Sequence, residues 1–352
     1  MGTIISLLVL SFLIFFHELG HFLAARFFGV HVEVFSIGFG KKVYKKVYRG
    51  TQYAISIIPL GGYVQMKGQD DTNPLKKNDD SDSYNIKKPW QRIIILLAGP
   101  FGNFILAFLL YIAIGSIGVS KFAPIIGNIS KDSPALISGL KSKDKIISIN
   151  KTAIKTWDEL SKKIRKSDNL LHFQILRDSK IKNINITPKV HTYKNMFGET
   201  LKKKMVGIAP NGKTIIIKYN LLQSIPFAWQ ETKNATTLIV KSLQKLIEGV
   251  VPVKDLGGIV SIVQVTAKAS KIGIVALFGL TALISVNLGV LNLLPIPALD
   301  GGHIMFNLYE MITKKEPSER VVYYLTLAGW IFLLSLMAFT IFNDIYRIIG
   351  EN

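Results

Sequence analysis

The motif His17-Glu18-Leu19-Gly20-His21 places two histidines and a glutamate inside an apolar run near the start of the chain. Residues four apart share one face of an α-helix, so both imidazoles can reach a single tetrahedral zinc ion. From beside that face, Glu18 can take a proton from water and pass it to a leaving amine. A structural pair of histidines is the alternative, but polar groups are costly at membrane depth and by default mark function. The motif therefore predicts metal-dependent hydrolysis of a peptide bond.

Asp300 is the residue that we expect to complete the metal site, because a catalytic zinc needs three protein ligands and one open position. It follows an apolar run broken by Pro295 and Pro297, and the two glycines after it permit a sharp turn. Broken helices at membrane depth are tolerated where they line a cavity or are packed by protein. The alternative role for Asp300 is to cap the next helix. His303 is the competing ligand and ranks second.

Apolar segments long enough to cross roughly 30 Å of hydrocarbon as helices define the fold class. We expect four spans, at residues 3–28, 93–119, about 272–294 and 322 to about 345. A cleaved signal peptide is the alternative for the first span, but no positively charged region precedes it. Lys and Arg cluster after the first span, before the second, and between the third and fourth, so these loops should be cytoplasmic. Both termini would then face outward.

Composition limits the remaining classes of function. The chain has 352 residues, 49% of them hydrophobic, and a formal net charge of +20, with a mean hydropathy of +0.33. The lysines are spread over every polar stretch without aromatic interleaving on a compact module, which argues against nucleic-acid binding. Cysteine is absent. Disulfides and cysteine-based sites are therefore excluded, and any metal must be held by His, Asp or Glu.

The polar segments between the spans have distinct patterns. Residues 29–68 alternate like hairpin strands around Gly38, Gly40, Gly61 and Gly62, which predicts a β-hairpin layer close to the site. Residues 70–88 are typical of a mobile cytoplasmic loop. Helical spacing between 225 and 270 indicates an amphipathic helix on the outer membrane face, with an ordinary domain helix as the alternative. The predicted domains are 1–119 with the first two spans, 120–190 as a β-rich extracytoplasmic domain, 191–270 as linker and amphipathic helix, and 271–352 with the last two spans.

The β-rich insert resembles a PDZ domain. The resemblance rests on Ser133-Pro134-Ala135, on Ser138-Gly139-Leu140 and on the run from Asp144 to Asn150. It implies a strand edge that can pair with an extended peptide ligand. Lys143 stands where a Gly usually precedes the Asp. The alternative is a small β-rich domain that serves as a steric plug or spacer. The fold class is thus a polytopic α-helical membrane protein with a membrane-associated β-hairpin layer and an inserted PDZ-like β-rich soluble domain.

Three motifs together resemble the site-2 protease family, in its bacterial regulator of sigma-E protease type. They are His17–His21, Gly99-Pro100-Phe101-Gly102-Asn103, and the run from Asn292 to Gly301. Two features depart from the family: only one PDZ-like domain is discernible, and Gly257-Gly258-Ile259 lacks the proline that often follows this pair. The resemblance implies that zinc is bound by His17, His21 and Asp300 and that Glu18 is the general base. It also implies that Asn292 and Asn287 hold the substrate backbone. The hairpin that contains Gly38, Gly40, Gly61 and Gly62 would draw an unwound substrate into strand pairing.

The function implied by this resemblance is hydrolysis of peptide bonds in or near transmembrane segments of membrane proteins. Regulated intramembrane proteolysis of anti-sigma factors or signal-peptide remnants is the expected setting. The cofactor would be Zn²⁺, and the partners would be transmembrane substrates and the lipid bilayer, in a bacterial inner membrane with the active site toward the cytoplasmic side. A non-proteolytic scaffold and a metal-ion transporter are the alternatives. The position of Glu18, the small number of spans and the lack of internal repeats argue against a transporter.

Overall fold

The chain divides into two compact units in the structure, a computed structural model that describes residues 2–69, 78–167, 169–195 and 198–350. One unit comprises residues 1–114 and 221–352, and the other comprises residues 115–220. Residues 70–77 of the predicted cytoplasmic loop lie outside the described residues. The helices are α1 (Gly2–Phe27), α2 (Pro89–Ile117), α3 (Pro134–Ile137), α4 (Trp157–Arg165), α5 (Leu221–Ile247), α6 (Ile259–Ile272), α7 (Ile274–Asn292), α8 (Asp300–Thr313) and α9 (Glu319–Gly350).

Four helices of the described chain are long and apolar enough to cross a membrane: α1, α2, α7 and α9. They coincide with the four predicted spans, with ends shifted by a few residues. The single amphipathic helix expected between 225 and 270 is instead two helices, α5 and α6. The chain breaks between them because Gly249 adopts φ +72° and Pro252 follows, neither of which continues a helix readily.

Helices α1 and α2 cross with almost no space between their backbones. A Cβ atom on Gly20 would lie 2.0 Å from the carbonyl oxygen of Ala98, and one on Gly102 would lie 2.5 Å from that of Phe16. Small residues permit such close approach between membrane helices. Because Gly20 and Gly102 have no side chains, α1, which carries the histidine motif, packs directly against α2.

The segment between α7 and α8 reverses the chain, as the two prolines predict. Helix α7 ends at Asn292, residues 293–299 are not helical, and α8 begins at Asp300. A Cβ atom on Gly301 would lie 2.2 Å from the carbonyl oxygen of Leu294, and one on Gly302 would lie 2.3 Å from that of Ile296. Both glycines are therefore required for this tight packing, which places Asp300 at the start of a helix.

A long hairpin of β1 (Val32–Tyr48) and β2 (Thr51–Met66) packs beside α1. Residues 34–37 pair with residues 65–62, and residues 44–48 pair with 55–51, in antiparallel register. Residues 34–37 are also partnered by residues 52–55, so the ribbon folds back on itself. Gly38 and Gly40, at φ +89° and +84°, adopt the left-handed conformation where the ribbon bends. The rings of Phe15 and Phe35, 5.8 Å apart, join the ribbon to α1.

Helix α6 connects α1 to the last span. The hydroxyl of Ser6 on α1 donates to the carbonyl of Val263 at 2.9 Å. At the other end of α6, the buried carboxylate of Asp344 on α9 accepts from the backbone amides of Gly258 at 3.1 Å and Ser261 at 2.9 Å. A carboxylate at a helix N-terminus satisfies amides that have no partner within the helix. Asp344 therefore supplies from α9 the cap that α6 lacks in its own sequence.

The unit formed by residues 115–220 is rich in β-structure and extends on both sides of the predicted 120–190 domain. Its central sheet has the order β6-β5-β7-β8, and the pairs β10-β9, β11-β4 and β12-β3 surround it. The strands are β3 (Val119–Phe122), β4 (Ile126–Ile129), β5 (Lys145–Ile149), β6 (Thr152–Ala153), β7 (Leu171–Arg177), β8 (Lys180–Ile186), β9 (Lys189–Lys194), β10 (Thr200–Met205), β11 (Ile208–Pro210) and β12 (Thr214–Ile217). Buried apolar side chains of α4, β5 and β7 form its core.

Candidate metal centre

Three side-chain donor atoms converge where α1 meets the start of α8. The Nε2 atoms of His17 and His21 lie 3.2 Å apart, and they lie 3.3 and 3.5 Å, respectively, from Oδ2 of Asp300. Four ligands placed tetrahedrally about 2.0–2.1 Å from zinc are separated by roughly 3.3 Å. The three donors therefore match one face of a zinc coordination tetrahedron. Oδ2 of Asp300 is buried and accepts no hydrogen bond from the described residues, so it is available to a metal ion.

The ring of His21 is held in one tautomer by α2. Its Nδ1 lies 2.8 Å from the backbone carbonyl oxygen of Ile95, and because a carbonyl can only accept, Nδ1 must carry the proton. Nε2 is then the unprotonated nitrogen that faces Asp300. A Cβ atom on Gly99 would lie 2.1 Å from this Nε2, so Gly99 provides the space that the ring occupies. An outer hydrogen bond of this kind orients a metal-binding histidine.

Two asparagines flank the ring of His17. Nδ2 of Asn103 lies 3.2 Å from Nδ1 of His17, and Nδ2 of Asn292 lies 3.3 Å from Nε2. Asn103 is fully buried on α2, and its backbone carbonyl accepts from the hydroxyl of Ser285 at 2.8 Å. These contacts bring α2 and the end of α7 to the same histidine, and they place the Asn292 amide at the edge of the donor triangle.

Glu18 lies half-buried between the two histidines in sequence and borders the hairpin in space. A Cβ atom on Gly62 would lie 3.5 Å from Cγ of Glu18 and 2.8 Å from the carbonyl oxygen of Ser36. The backbone of β2 therefore passes directly beside the carboxylate side chain. In this arrangement the Glu18 carboxylate lies on the helix that carries two of the three metal donors and beside the backbone of β2, which suits hydrolysis of an extended peptide.

In the part of the chain that it describes, the structure records no contact between the other predicted residues and the donor triangle. Asn287 is on α7 five residues before Asn292, which turns its side chain by about 140° around the helix. Gly38 and Gly40 shape the bend of the hairpin, and Gly61 makes room for the ring of Phe39. His303 is not among the donors that converge within 4.8 Å in the described chain. The binding roles of these residues stay predictions.

Sequence reasoning missed several partners of the histidines. The carbonyl of Ile95 left no signal in the sequence, because every residue has one. Asn103 and Gly99 belong to a recognised motif, yet their contacts with His17 and His21 depend on how α1 crosses α2. A polar Asn and a Gly four residues apart within an apolar span were the available indication, since such residues share a face and mark helix contacts.

The sequence of this chain is similar to those of a known protein family. The profile of peptidase family M50 matches residues 5–336. A relative from Campylobacter jejuni, whose name describes a zinc metalloprotease, is 52% identical over 346 residues, which cover 98% of this chain and 94% of the relative. A relative of the same description from Helicobacter pylori strain J99 is 40% identical and covers 98% and 99% of the two chains. A third, from Clostridium acetobutylicum, is 34% identical over 98% and 97%.

These likenesses extend over nearly the entire chain and agree with four apolar helices that can span a bilayer. Histidine and carboxylate donors are the ligands of catalytic zinc sites with an open position, and the donor triangle described above fits that ion. The chain belongs to peptidase family M50, the site-2 protease family, and is a membrane-integral zinc metalloprotease.

Proposed function

We propose that this protease hydrolyses peptide bonds within or next to the transmembrane segments of other membrane proteins. The observation that supports it is the donor triangle itself, two of whose three members lie on α1, an apolar helix long enough to cross a membrane. His21 precedes the end of α1 by six residues, or about 9 Å along the helix. With the following loop in the cytoplasm, the site lies inside the inner membrane toward its cytoplasmic side. Substrates of regulated proteolysis, such as anti-sigma factors or signal-peptide remnants, have segments at this depth.

The division of labour follows from the positions of the side chains. His17, His21 and Asp300 hold the ion, and the carbonyl of Ile95 keeps Nε2 of His21 free for it. When bound, zinc supplies Lewis acidity to a carbonyl oxygen and acidifies water. The carboxylate of Glu18 takes the proton from the attacking water and returns it to the leaving amine nitrogen. The amide of Asn292, beside His17, donates to the substrate carbonyl.

The hairpin presents the substrate to these groups. A helical substrate hides its carbonyls in hydrogen bonds, so it must unwind before hydrolysis. Residues 62–66 pair with residues 32–37 on one side and with no second strand among the described residues. Their other edge offers backbone donors and acceptors to an extended chain. Gly62 lies at this edge beside Glu18, while Gly38, Gly40 and Gly61 shape the ribbon that supports it.

Cleavage of a synthetic transmembrane peptide by the purified chain in proteoliposomes tests this function. The Glu18→Gln variant should retain stoichiometric zinc and lose cleavage, whereas His21→Ala should lose both. Glu33→Gln is the matched control, because Glu33 lies on the hairpin and bonds only Gln65 among the recorded partners. Cleavage by Glu18→Gln at the parent rate would refute the role of Glu18 as base. Cleavage confined to soluble peptides would refute the membrane substrate.

The unit of residues 115–220 acts as a PDZ-like peptide-binding domain on the extracytoplasmic side. A groove of about 140 Å³ lies between α4 and the chain from Lys203 to Ile208. Trp157, Leu160 and Ile164 line it, and Arg165 and Lys203 stand at its margin. Burial and the neighbouring Arg165 lower the pKa of Lys203. The unit holds 21 Lys and Arg but only seven Asp and Glu, so its ligand is an acidic extended segment.

Lys143 fits this domain in spite of the glycine expected there. Its φ is +73°, in the left-handed region that glycine adopts freely and other residues at some cost. Fluorescent acidic peptides should bind the full chain. Lys203→Glu should weaken their binding more than Lys180→Glu, because Lys203 lines the groove and Lys180, on β8, is not one of its lining residues. Equal binding of acidic and basic peptides would favour the spacer alternative.

A further inference from the structure

An ion pair outside the donor triangle joins α2 to the helix that begins with Asp300. Nη2 of Arg92 lies 2.6 Å from Oε1 of Glu310, and these side chains are only 14% and 17% exposed. Burying two charges is costly, and such a pair is weak evidence for stability. Nε of Arg92 is also buried and has no acceptor among the described residues. Stabilisation of the fold is therefore a weak explanation for this pair, and a positional role is the alternative.

One face of α2 contacts both histidines of the donor triangle and also helix α8. Arg92, Ile95, Gly99 and Asn103 follow one another at steps of three, four and four residues, so they form one stripe along the helix. Ile95 and Gly99 hold and accommodate the ring of His21, and Asn103 contacts His17. Arg92 extends the same stripe to α8. Helix α2 is therefore a common frame for α1 and α8.

Asp300 and Glu310 lie near opposite ends of α8. Ten residues separate Asp300 from Glu310, or about 15 Å along a continuous helix. Rotating such a helix by the angle of one residue, about 100°, would turn Asp300 away from both histidines. At its near end, Gly301 and Gly302 pack against residues 293–297, which precede α8 directly. At its far end, Arg92 holds α8 from a different helix.

We propose that the Arg92–Glu310 pair is a positioning device for the metal, setting the rotation and axial position of α8 so that Asp300 completes the donor triangle. Neither residue touches the ion or the substrate. The inference rests on the proposed role of Asp300 as a ligand. It predicts that disturbing the pair weakens zinc binding although all three donors remain in the chain.

Zinc affinity of the purified full-length chain, measured by competition with a chromophoric chelator, tests the inference. Glu310→Gln should weaken zinc binding by about 10- to 100-fold, as changes to groups that orient metal ligands do. Arg92→Lys keeps the charge but loses the planar fork, and should show a smaller loss in the same direction. The double exchange of Arg92→Glu with Glu310→Arg should recover part of the affinity. The visible absorption bands of the Co²⁺-loaded variants should shift, which a general loss of stability would not cause.

Two comparisons separate the outcomes. Lys67 and Asp82 form another ion pair of the same unit, 2.8 Å long, and Lys67→Gln or Asp82→Asn should leave zinc affinity unchanged. If Asp300→Ala abolishes tight binding while Glu310→Gln and Arg92→Lys bind zinc within twofold of the parent, the positioning role is wrong. If Asp300→Ala itself binds zinc normally, the ligand assignment fails instead. If Glu310→Gln does not fold, the affinity and Co²⁺ spectrum of Arg92→Lys decide the matter.

Discussion

The side-chain amide nitrogen of Asn292 lies 3.3 Å from Nε2 of His17, so the last residue of α7 reaches the metal site without belonging to the donor triangle. In the proposed function, this amide at the end of the helix donates to the substrate. An amide at the edge of a catalytic metal site can donate to the oxygen on which charge develops during hydrolysis. The proposal therefore assigns two tasks to neighbouring residues, binding of the metal to the donor triangle and binding of the reacting carbonyl to Asn292.

Asn292→Ala should lower kcat for a transmembrane peptide by about 100-fold, the lower range for loss of one such donor. Zinc content should stay stoichiometric, because Asn292 supplies none of the three converging donors. Steady-state cleavage with parallel metal analysis measures both quantities. A loss of zinc from the variant would show that the amide supports His17 and not the substrate.

Removal of zinc should lower the midpoint of thermal unfolding, because ligands drawn from α1 and α8 tie two distant parts of the chain together. Chelator treatment followed by a temperature scan of the detergent-solubilised protein measures the shift, and added zinc should reverse it. His21→Ala is the control, since it should show the lowered midpoint with or without chelator. An unchanged midpoint in the parent would mean that the ion contributes nothing to joining the helices.

Gly99→Ala should weaken zinc binding by more than about tenfold. The added Cβ would lie 2.1 Å from Nε2 of His21, so the ring must leave the position in which the carbonyl of Ile95 orients it. Gly279→Ala on α7 is a matched control, because its Cβ would meet only Cδ1 of Ile114, at 4.0 Å. Metal competition assays on both variants should therefore differ. Equal affinities would show that α1 can shift to accommodate the methyl group.

Asp144→Asn should destabilise the unit of residues 115–220 by about 3 kcal/mol, the usual cost of breaking a buried pair by removing one charge. The Asp144 side chain is fully buried and accepts from Nε and Nη2 of Arg177 at 2.7 and 2.6 Å. Limited proteolysis of the full chain should then cut within this unit at lower temperature. Zinc binding in the other unit should persist, and a parallel loss of zinc would contradict the independence of the two units.

The features that sequence reasoning could anticipate are those encoded by short spacing. Two histidines four residues apart need only a helix to share a face, and two prolines in an apolar run suffice to break a span. The reversal before Asp300 and the four apolar helices follow from such local signals. Asp300 was predictable although it lies far from the histidines in sequence, because a catalytic zinc needs a third protein ligand.

Other features depend on contacts that no local pattern contains. The Arg92–Glu310 pair spans 218 residues of sequence, and Asp344 caps α6 from another helix. Strands β9 and β10 were missed because they are mostly exposed and rich in lysine, so they lack the apolar alternation that identifies a strand. The break between α5 and α6 had its signals in Gly249 and Pro252, but the apolar spacing on both sides masked it.

The close crossing of α1 and α2 also limits the directions from which a substrate can approach the histidines. Since Gly20 and Gly102 bring the two backbones into contact, the crossing leaves no room for a peptide between α1 and α2. Under the proposed function, a transmembrane substrate would therefore reach Glu18 from a direction other than the α1–α2 crossing. The ribbon at Gly62 borders Glu18, so entry along the ribbon is the route that this packing leaves for the substrate.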